Sequence, residues 1–262
     1  MSIEWLVHLI LSLMKKLILT LFITLFSILA SWGQNIAELK QKAEQSNEFA
    51  QFYLAWCYAK GEGVEKDLRE AVKWYRKSAE QGDADAQCNL AFCYVNGYGV
   101  EKDLREAVKW YRKSAEQGHA KAQYYLALCY VNGYGVEKDP REAVKWWHKS
   151  AEKGLKNAQY NLALCYANGD GVEKDPREAV KWWRKAAEQG HANAQCILGV
   201  CYFDGEGVIQ NNVKAYAWLA LASANGSEDA KKCMDIIKKE MTPNQIVEAQ
   251  KLAEKYYNGK FD

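Results

Sequence analysis

Proline is scarce in this sequence, with three residues in 262, and no tract is Pro-rich or of low complexity. Ten Trp and sixteen Tyr must therefore be buried by regular structure, which excludes a disordered chain beyond the ends. Charge of one sign is lacking as well: 35 basic and 33 acidic residues leave a net charge of +2. A balanced surface gives no long-range field, so a nucleic-acid partner held by counterion release is not expected. No uninterrupted apolar run reaches the roughly twenty residues of a membrane span. The longest, Leu17 to Ala30, has about fourteen.

That run has another reading. Met14-Lys15-Lys16 forms a basic start, and Ser31 and Gly33 are small residues at the −3 and −1 places of a cleavage site before Gln34. This is the pattern of a secretory signal peptide. Residues 1–33 are therefore expected to direct export, with Met14 as the functional start, giving a periplasmic or extracellular protein with no membrane association after cleavage. The alternative is a retained N-terminal anchor, which Trp5 to Leu13 would lengthen.

What the sequence has in abundance is repetition. Ala50-Gln51 recurs at Ala86-Gln87, Ala122-Gln123, Ala158-Gln159 and Ala194-Gln195, a step of 36 residues, and Glu65 to Gly82 reappears unchanged as Glu101 to Gly118. A fixed period of this length marks a repeat architecture. Each unit reads as two helices. In the first, Ala50, Leu54, Cys57 and Tyr58 fall at helical spacing, and Gly61 and its equivalents stop the helix by adopting a left-handed cap. After Gly-x-Gly-Val, the second helix opens at Asp67, with Glu70 three residues on as a reciprocal capping box; Pro140 and Pro176 occupy first-turn positions in two copies. The second helix carries Ala71, Trp74, Tyr75 and Ala79 on one side.

One such unit cannot hide its apolar face, but stacked units can. The fold class expected is all-α: a right-handed α/α superhelical solenoid preceded by a signal peptide. Residues 34–49 form a capping helix, residues 50–226 form five repeats, and residues 227–262 form terminal capping helices. Thr242-Pro243-Asn244-Gln245 is read as a capping box that launches the last of these helices. Truncating Trp110 or Trp146 is expected to cost about 3–5 kcal/mol, the range for a buried Trp cut back to Ala.

The pattern Ala-Gln-x-x-Leu-Ala-x-Cys-Tyr, Gly-x-Gly-Val-x-x-Asp and Glu-Ala-Val-Lys-Trp resembles the Sel-one-like repeat (SLR) family of tetratricopeptide-like superhelices, over about Phe49 to Gly226. The resemblance implies a non-catalytic adaptor or scaffold, monomeric, without cofactor or metal, whose partner is a protein or peptide. One subgroup, the Helicobacter cysteine-rich proteins, has been named β-lactamase or penicillin-binding. Its disulfides tie a second helix to the next first helix, where this chain has Ser78-Ala79 or Ala186-Ala187. Ser150-Ala151-Glu152-Lys153 spells Ser-x-x-Lys, but neither Ser-Asp-Asn nor Lys-Thr-Gly follows it. A hydrolase of that type and a purely structural spacer stand as the alternatives.

Cys57, Cys93, Cys129, Cys165 and Cys201 share one repeat position, about 10 Å apart along the stack, which is beyond disulfide reach. Cys88 and Cys196 lie five residues before Cys93 and Cys201 on another face. Free thiols are expected, which fits a reducing setting better than an exported one. His119 and His191, two repeats apart, cannot share a metal ion.

By analogy with tetratricopeptide clamps, the positions where first helices diverge form the concave surface. These are Asp85, Lys121, Asn157 and Asn193; Cys88, Tyr124 and Tyr160; Phe92, Leu128 and Leu164; and Asn96, Asn132 and Asn168. Asn amides can bond an extended peptide backbone while Tyr rings cover its side chains. For Asn96, Asn132 and Asn168 a second reading stays open, that they merely help end the first helix beside Gly.

Overall fold

The computed structural model describes residues 35–261, which contain thirteen α-helices and no strand. The chain divides into two compact units at Lys102/Asp103. The first contains α1 (35–44), α2 (Glu48–Lys60), α3 (Leu68–Gln81) and α4 (Ala84–Asn96). The second contains α5 (Leu104–Glu116), α6 (Ala120–Asn132), α7 (Pro140–Glu152), α8 (Lys156–Asn168), α9 (Pro176–Glu188), α10 (Ala192–Asp204), α11 (Asn212–Ala224), α12 (Glu228–Lys238) and α13 (Pro243–Tyr257). Within each unit, successive helices from α2 to α12 pack against one another across short turns, and α13 returns to pack on α11. The segment read as a signal peptide, 1–33, lies outside the described residues.

The helix boundaries follow from side chains and glycines. Asp67, Asp103, Asp139 and Asp175 each accept hydrogen bonds from the two backbone N–H groups that open the second helix, at 2.9–3.1 Å. The reciprocal half of the predicted capping box is absent. The backbone N–H of Asp67 donates to the carbonyl of Tyr58, and those of Asp139 and Asp175 donate to Tyr130 and Tyr166. With that donor already used by the preceding helix, Glu70, Glu142 and Glu178 pair with Lys73, Lys145 and Lys181 one turn on. A full capping box exists at Thr242 and Gln245, as the sequence indicates.

The predicted capping helix over 34–49 is shorter than expected. It ends at 44, and Asn47 caps a new helix whose first residue is Glu48. The Asn47 side chain accepts from the N–H of Ala50 at 2.8 Å, a start signal that lies ahead of the repeated Ala-Gln.

The core of each unit is periodic. Leu54 and Leu90 in the first unit, with Tyr75, and Leu126, Leu162 and Leu198 in the second, with Tyr111, Trp147 and Trp183, are buried among Ala residues. The glutamine of each Ala-Gln is buried too. Its side-chain N–H donates to the carbonyl eight residues earlier: Gln51 to Ala43, Gln87 to Ala79, Gln123 to Ala115, Gln159 to Ala151 and Gln195 to Ala187, at 2.9–3.1 Å. Each Gln thus satisfies an end carbonyl of the preceding helix and fixes the angle between that helix and its own.

The second glycine of the turn is needed for close approach. A Cβ on Gly135 would lie 2.0 Å from the carbonyl oxygen of Leu104, and Gly135 has φ +69°. Backbone meets backbone there, so the turn of one repeat seats directly on the start of the previous second helix. At the C-terminal end α13 packs on α11, where Trp218 meets Tyr256 at 4.5 Å and Phe261 at 5.5 Å. That covers the apolar surround of α11, where Tyr216, Trp218, Leu219 and Leu221 are all buried.

The tryptophan expectation needs correction. Trp146 is buried, but Trp110 is only half-buried, so truncation of Trp110 costs less than about 3–5 kcal/mol. The indole N–H of Trp146 also has no hydrogen-bond partner, an unfavourable contribution that its removal would relieve.

Candidate functional site

In the second unit, the outward face of α6 and α8 encloses a groove of about 450 Å³. Leu128, Asn132, Asn161, Leu164 and Asn168 line its sides, and α7 contributes Trp147. Lys138 and Asp170 supply its charges. The spacing that brings these residues together is four residues on α6 and three, four and seven on α8, so each of the two helices presents one stripe. Amides on apolar walls suit an extended backbone, because the amides can both donate and accept.

Of the positions picked from sequence, Asn132 and Asn168 lie in this groove. Tyr124 and Tyr160 are half-buried beside it. The Tyr124 hydroxyl is hydrogen-bonded to Asn161, and that of Tyr160 to Asn193. The Tyr160 ring stacks on His191 at 4.5 Å. Burial, reinforced by Tyr125 at Tyr124 and by Cys196 at Tyr160, raises both phenols, and the amide bonds oppose the rise only in part. Lys121, Asn157 and Asn193 are exposed on α6, α8 and α10. Asn96 belongs to the first unit, on α4.

The geometry supplies the helix-ending role for two of the three asparagines that follow the first helix. Asn96 donates to the carbonyl of Phe92 at 2.8 Å and Asn132 to that of Leu128 at 2.9 Å, whereas Asn168 donates to the Asp170 carboxylate at 3.2 Å. All three are exposed. Each bond uses one N–H of the amide, which leaves the second N–H and the oxygen to face solvent or a ligand. Cys88, placed on the same surface from its repeat position, is buried instead.

The first unit carries the same groove, about 560 Å³ in volume, displaced by two repeats. Trp56 stands for Leu128, Lys60 for Asn132, Lys66 for Lys138, Asn89 for Asn161, Phe92 for Leu164 and Tyr98 for Asp170. Most of these residues escaped the sequence reading, as did Asn161 and Trp147. The signal was present: carrying the divergent columns back one more period from Asp85, Cys88, Phe92 and Asn96 gives Phe49, Phe52, Trp56 and Lys60.

The Ser-x-x-Lys tetrad lacks the geometry of a nucleophile. Ser150 is fully buried and its hydroxyl donates to the carbonyl of Ala120 at 2.8 Å. Ser78, at the equivalent place, donates to Glu48 in the same way. The hydroxyl therefore ties a second helix to the start of the first helix of its own repeat, and no substrate carbonyl can reach it. His119 and His191 are likewise structural, since each Nδ1 accepts from the N–H three residues on, at 3.1 and 3.2 Å, as a helix N-cap. All eight cysteines are free thiols, six of them buried. Among the described residues no group of three or more His, Cys, Asp or Glu is arranged around a metal position. Also among them, no helix is long and apolar enough to cross a membrane.

Comparison with known proteins accords with this architecture. The Sel1 repeat matches five times, at residues 49–83, 84–119, 120–155, 156–191 and 192–227. The secretory immunoglobulin A-binding protein EsiB of Escherichia coli is 41% identical over 69 residues, which cover 25% of this chain and 14% of that protein. The chain thus spans only a small part of this relative's length. Among solved structures, a Sel1 repeat protein from Oxalobacter formigenes is similar with a TM-score of 0.71 and 36% identity, over 85% of this chain and 99% of the other. A protective antigen of uropathogenic Escherichia coli with an SLR fold has a TM-score of 0.58 and 33% identity, over 87% and 57% of the two chains. Sel1 repeats commonly serve as non-catalytic scaffolds for protein interaction. From five consecutive matches and the helix pairs that realise them, this chain belongs to the Sel1 repeat family.

Proposed function

We propose that the protein is an exported, non-catalytic scaffold that holds a peptide or protein segment against the first-helix faces of its repeats. One observation carries the reading: a groove with the same lining positions recurs two repeats apart, and beside its core residues it presents exposed or half-buried Leu128, Asn132, Leu164 and Asn168 in the second unit and Lys60, Asn89 and Phe92 in the first. Framework positions repeat almost verbatim, while part of the lining changes between units, Trp56 and Phe92 giving way to Leu128 and Leu164, Lys60 to Asn132 and Tyr98 to Asp170, as expected where a surface is shaped to a ligand. Lys121, Asn157 and Asn193 extend the surface in the second unit, and Asn96 belongs to it in the first. Tyr124 and Tyr160 cover the partner's side chains, while Asn132 and Asn168 bond its backbone.

Export rests on the Met14 to Gly33 pattern and on what relatives are named for. EsiB is named for binding secretory immunoglobulin A, and the structural neighbour is described as a protective antigen. Both descriptions fit action outside the cell. The test is recovery of a partner from envelope and culture extracts by the wild type and by a Tyr124→Ala, Asn132→Ala, Tyr160→Ala variant. Helical content and unfolding midpoint are followed in parallel, because Tyr124 and Tyr160 are half-buried. Loss of the partner from a folded variant supports the assignment, and equal recovery refutes it.

A further inference from the structure

The two grooves differ in charge and in aromatic content. Lys138 and Asp170 offset each other in the second unit, whereas the groove of the first unit is lined by Lys60 and Lys66 with no carboxylate. Neither of these lysines takes part in an ion pair among the described residues, and both are exposed. The nearby Glu62 turns away to line a separate recess with Ile36 and Leu39. The same groove is lined by Asn89 and by Trp56, Phe92 and Tyr98. Phe92 and Tyr98 are 40% and 46% exposed, with their rings edge to face at 6.0 Å. Tyr53 extends the aromatic surface from Trp56, at 5.8 Å.

Resting on the reading of these faces as binding surfaces, we propose that the first-unit groove recognises an extended acidic segment of a partner protein, with carboxylates held by Lys60 and Lys66 and alternate apolar side chains laid on Trp56, Phe92 and Tyr98. The charge argument is one of complementarity. Two unpaired cations over an apolar floor repel a basic ligand, leave a neutral one without ion pairs, and pair an acidic one. The geometric argument is the alternation of an extended chain, which sends successive side chains to opposite sides. A segment alternating acidic and apolar residues therefore presents its apolar side to the aromatic floor and its carboxylates to the lysines at the rim.

The probe is a fluorescein-labelled decapeptide alternating Glu and Leu, with a Lys–Leu counterpart, titrated by fluorescence anisotropy against the full chain. The Glu–Leu peptide should bind at least about tenfold more tightly than the Lys–Leu peptide. Its affinity should fall as NaCl is raised. Lys60→Glu with Lys66→Glu should reverse the preference, so that the Lys–Leu peptide becomes the better ligand. Both lysines are exposed, so this variant is expected to fold, and its circular dichroism is checked. Equal binding of the two peptides, no binding of the Glu–Leu peptide, or a preference untouched by the charge reversal overturns the acidic assignment. None of these results touches the broader reading, which fails only if the Tyr124, Asn132 and Tyr160 variant keeps its partner.

Discussion

Gln123 holds the one buried glutamine amide oxygen that lacks a hydrogen-bond partner among the described residues. Its equivalents are satisfied from thirty residues downstream. Gln81 donates to Gln51 at 2.6 Å, Gln189 to Gln159 at 2.8 Å and Asn225 to Gln195 at 2.9 Å. At the matching place after Gln123 stands Lys153. Its ammonium is strongly hydrated and sits at the end of a longer stem, so it does not fill the buried position. Lys153→Gln should restore the missing bond. A buried unsatisfied acceptor costs about 1–3 kcal/mol, and ordering one more glutamine side chain takes back up to about 1.5–2 kcal/mol. The net gain is about 1 kcal/mol, a rise of about 2–4 °C in Tm for a unit of this size. Urea unfolding followed by circular dichroism measures it. Lys153→Met serves as a control that removes the charge without adding a donor, and Gln123→Leu closes a double-mutant cycle. If Lys153→Gln is no more stable than Lys153→Met, or gains as much in the Gln123→Leu background, the account of the glutamine column is refuted.

Three further outcomes follow from the same geometry. His191 caps α10 through a neutral Nδ1, and burial first, then Lys156, hold its pKa below the usual 6.5. Because the folded value is depressed, this contribution is fully present above about pH 6.5 and lost as pH falls through the lowered value. The unfolding midpoint should therefore drop between pH 7 and 5, less so in His191→Asn; parallel profiles contradict the assignment. Burial pushes the Cys165 and Cys201 thiols up to about 12 and those of Cys93 and Cys129 up to about 11. A chromogenic disulfide at pH 8 should thus react first with the half-buried Cys233 and Cys196, the latter slowed by the burial that also raises its thiol, and with all eight thiols in denaturant. Fast reaction of more than two would show that the buried column is open to solvent. Gly135→Ala should destabilise the second unit by at least about 1–2 kcal/mol, from the left-handed φ alone. The clash with the Leu104 carbonyl adds to this, and an unchanged urea midpoint would count against the close approach.

The helix pairs were legible because their signals are local and repeated. Gly61, Asp67 and Pro140 each declare a boundary through their own backbone preferences, and the period multiplies the evidence. The glutamine column was not legible, since its bonds run to carbonyls eight residues back across a turn and depend on how two helices meet. The capping box failed for the same reason: Glu70 is correctly spaced, but the Asp67 N–H is taken by Tyr58 of the preceding helix. His119 and His191 act as caps where Asp or Asn would normally be expected, so residue type misled there. At the candidate site, Asn132 and Asn168 were legible as part of a column of Asn directly ahead of the turn glycine. Asn161 lies one residue past the column that holds Tyr160, and Trp56 with Lys60 continue the columns of Phe92 and Asn96 into the preceding repeat, where the residue types change.

The central claim is that the first-helix faces, and not the outer faces of the second helices, meet the partner. Site-specific photo-cross-linking in cells producing the protein tests it directly. A photoreactive amino acid at Leu128 or Leu164 should give a discrete adduct, while one at the exposed Lys109 or Lys145 should give none. Adducts of equal yield from Lys109 and Lys145, with none from the groove, would contradict the account.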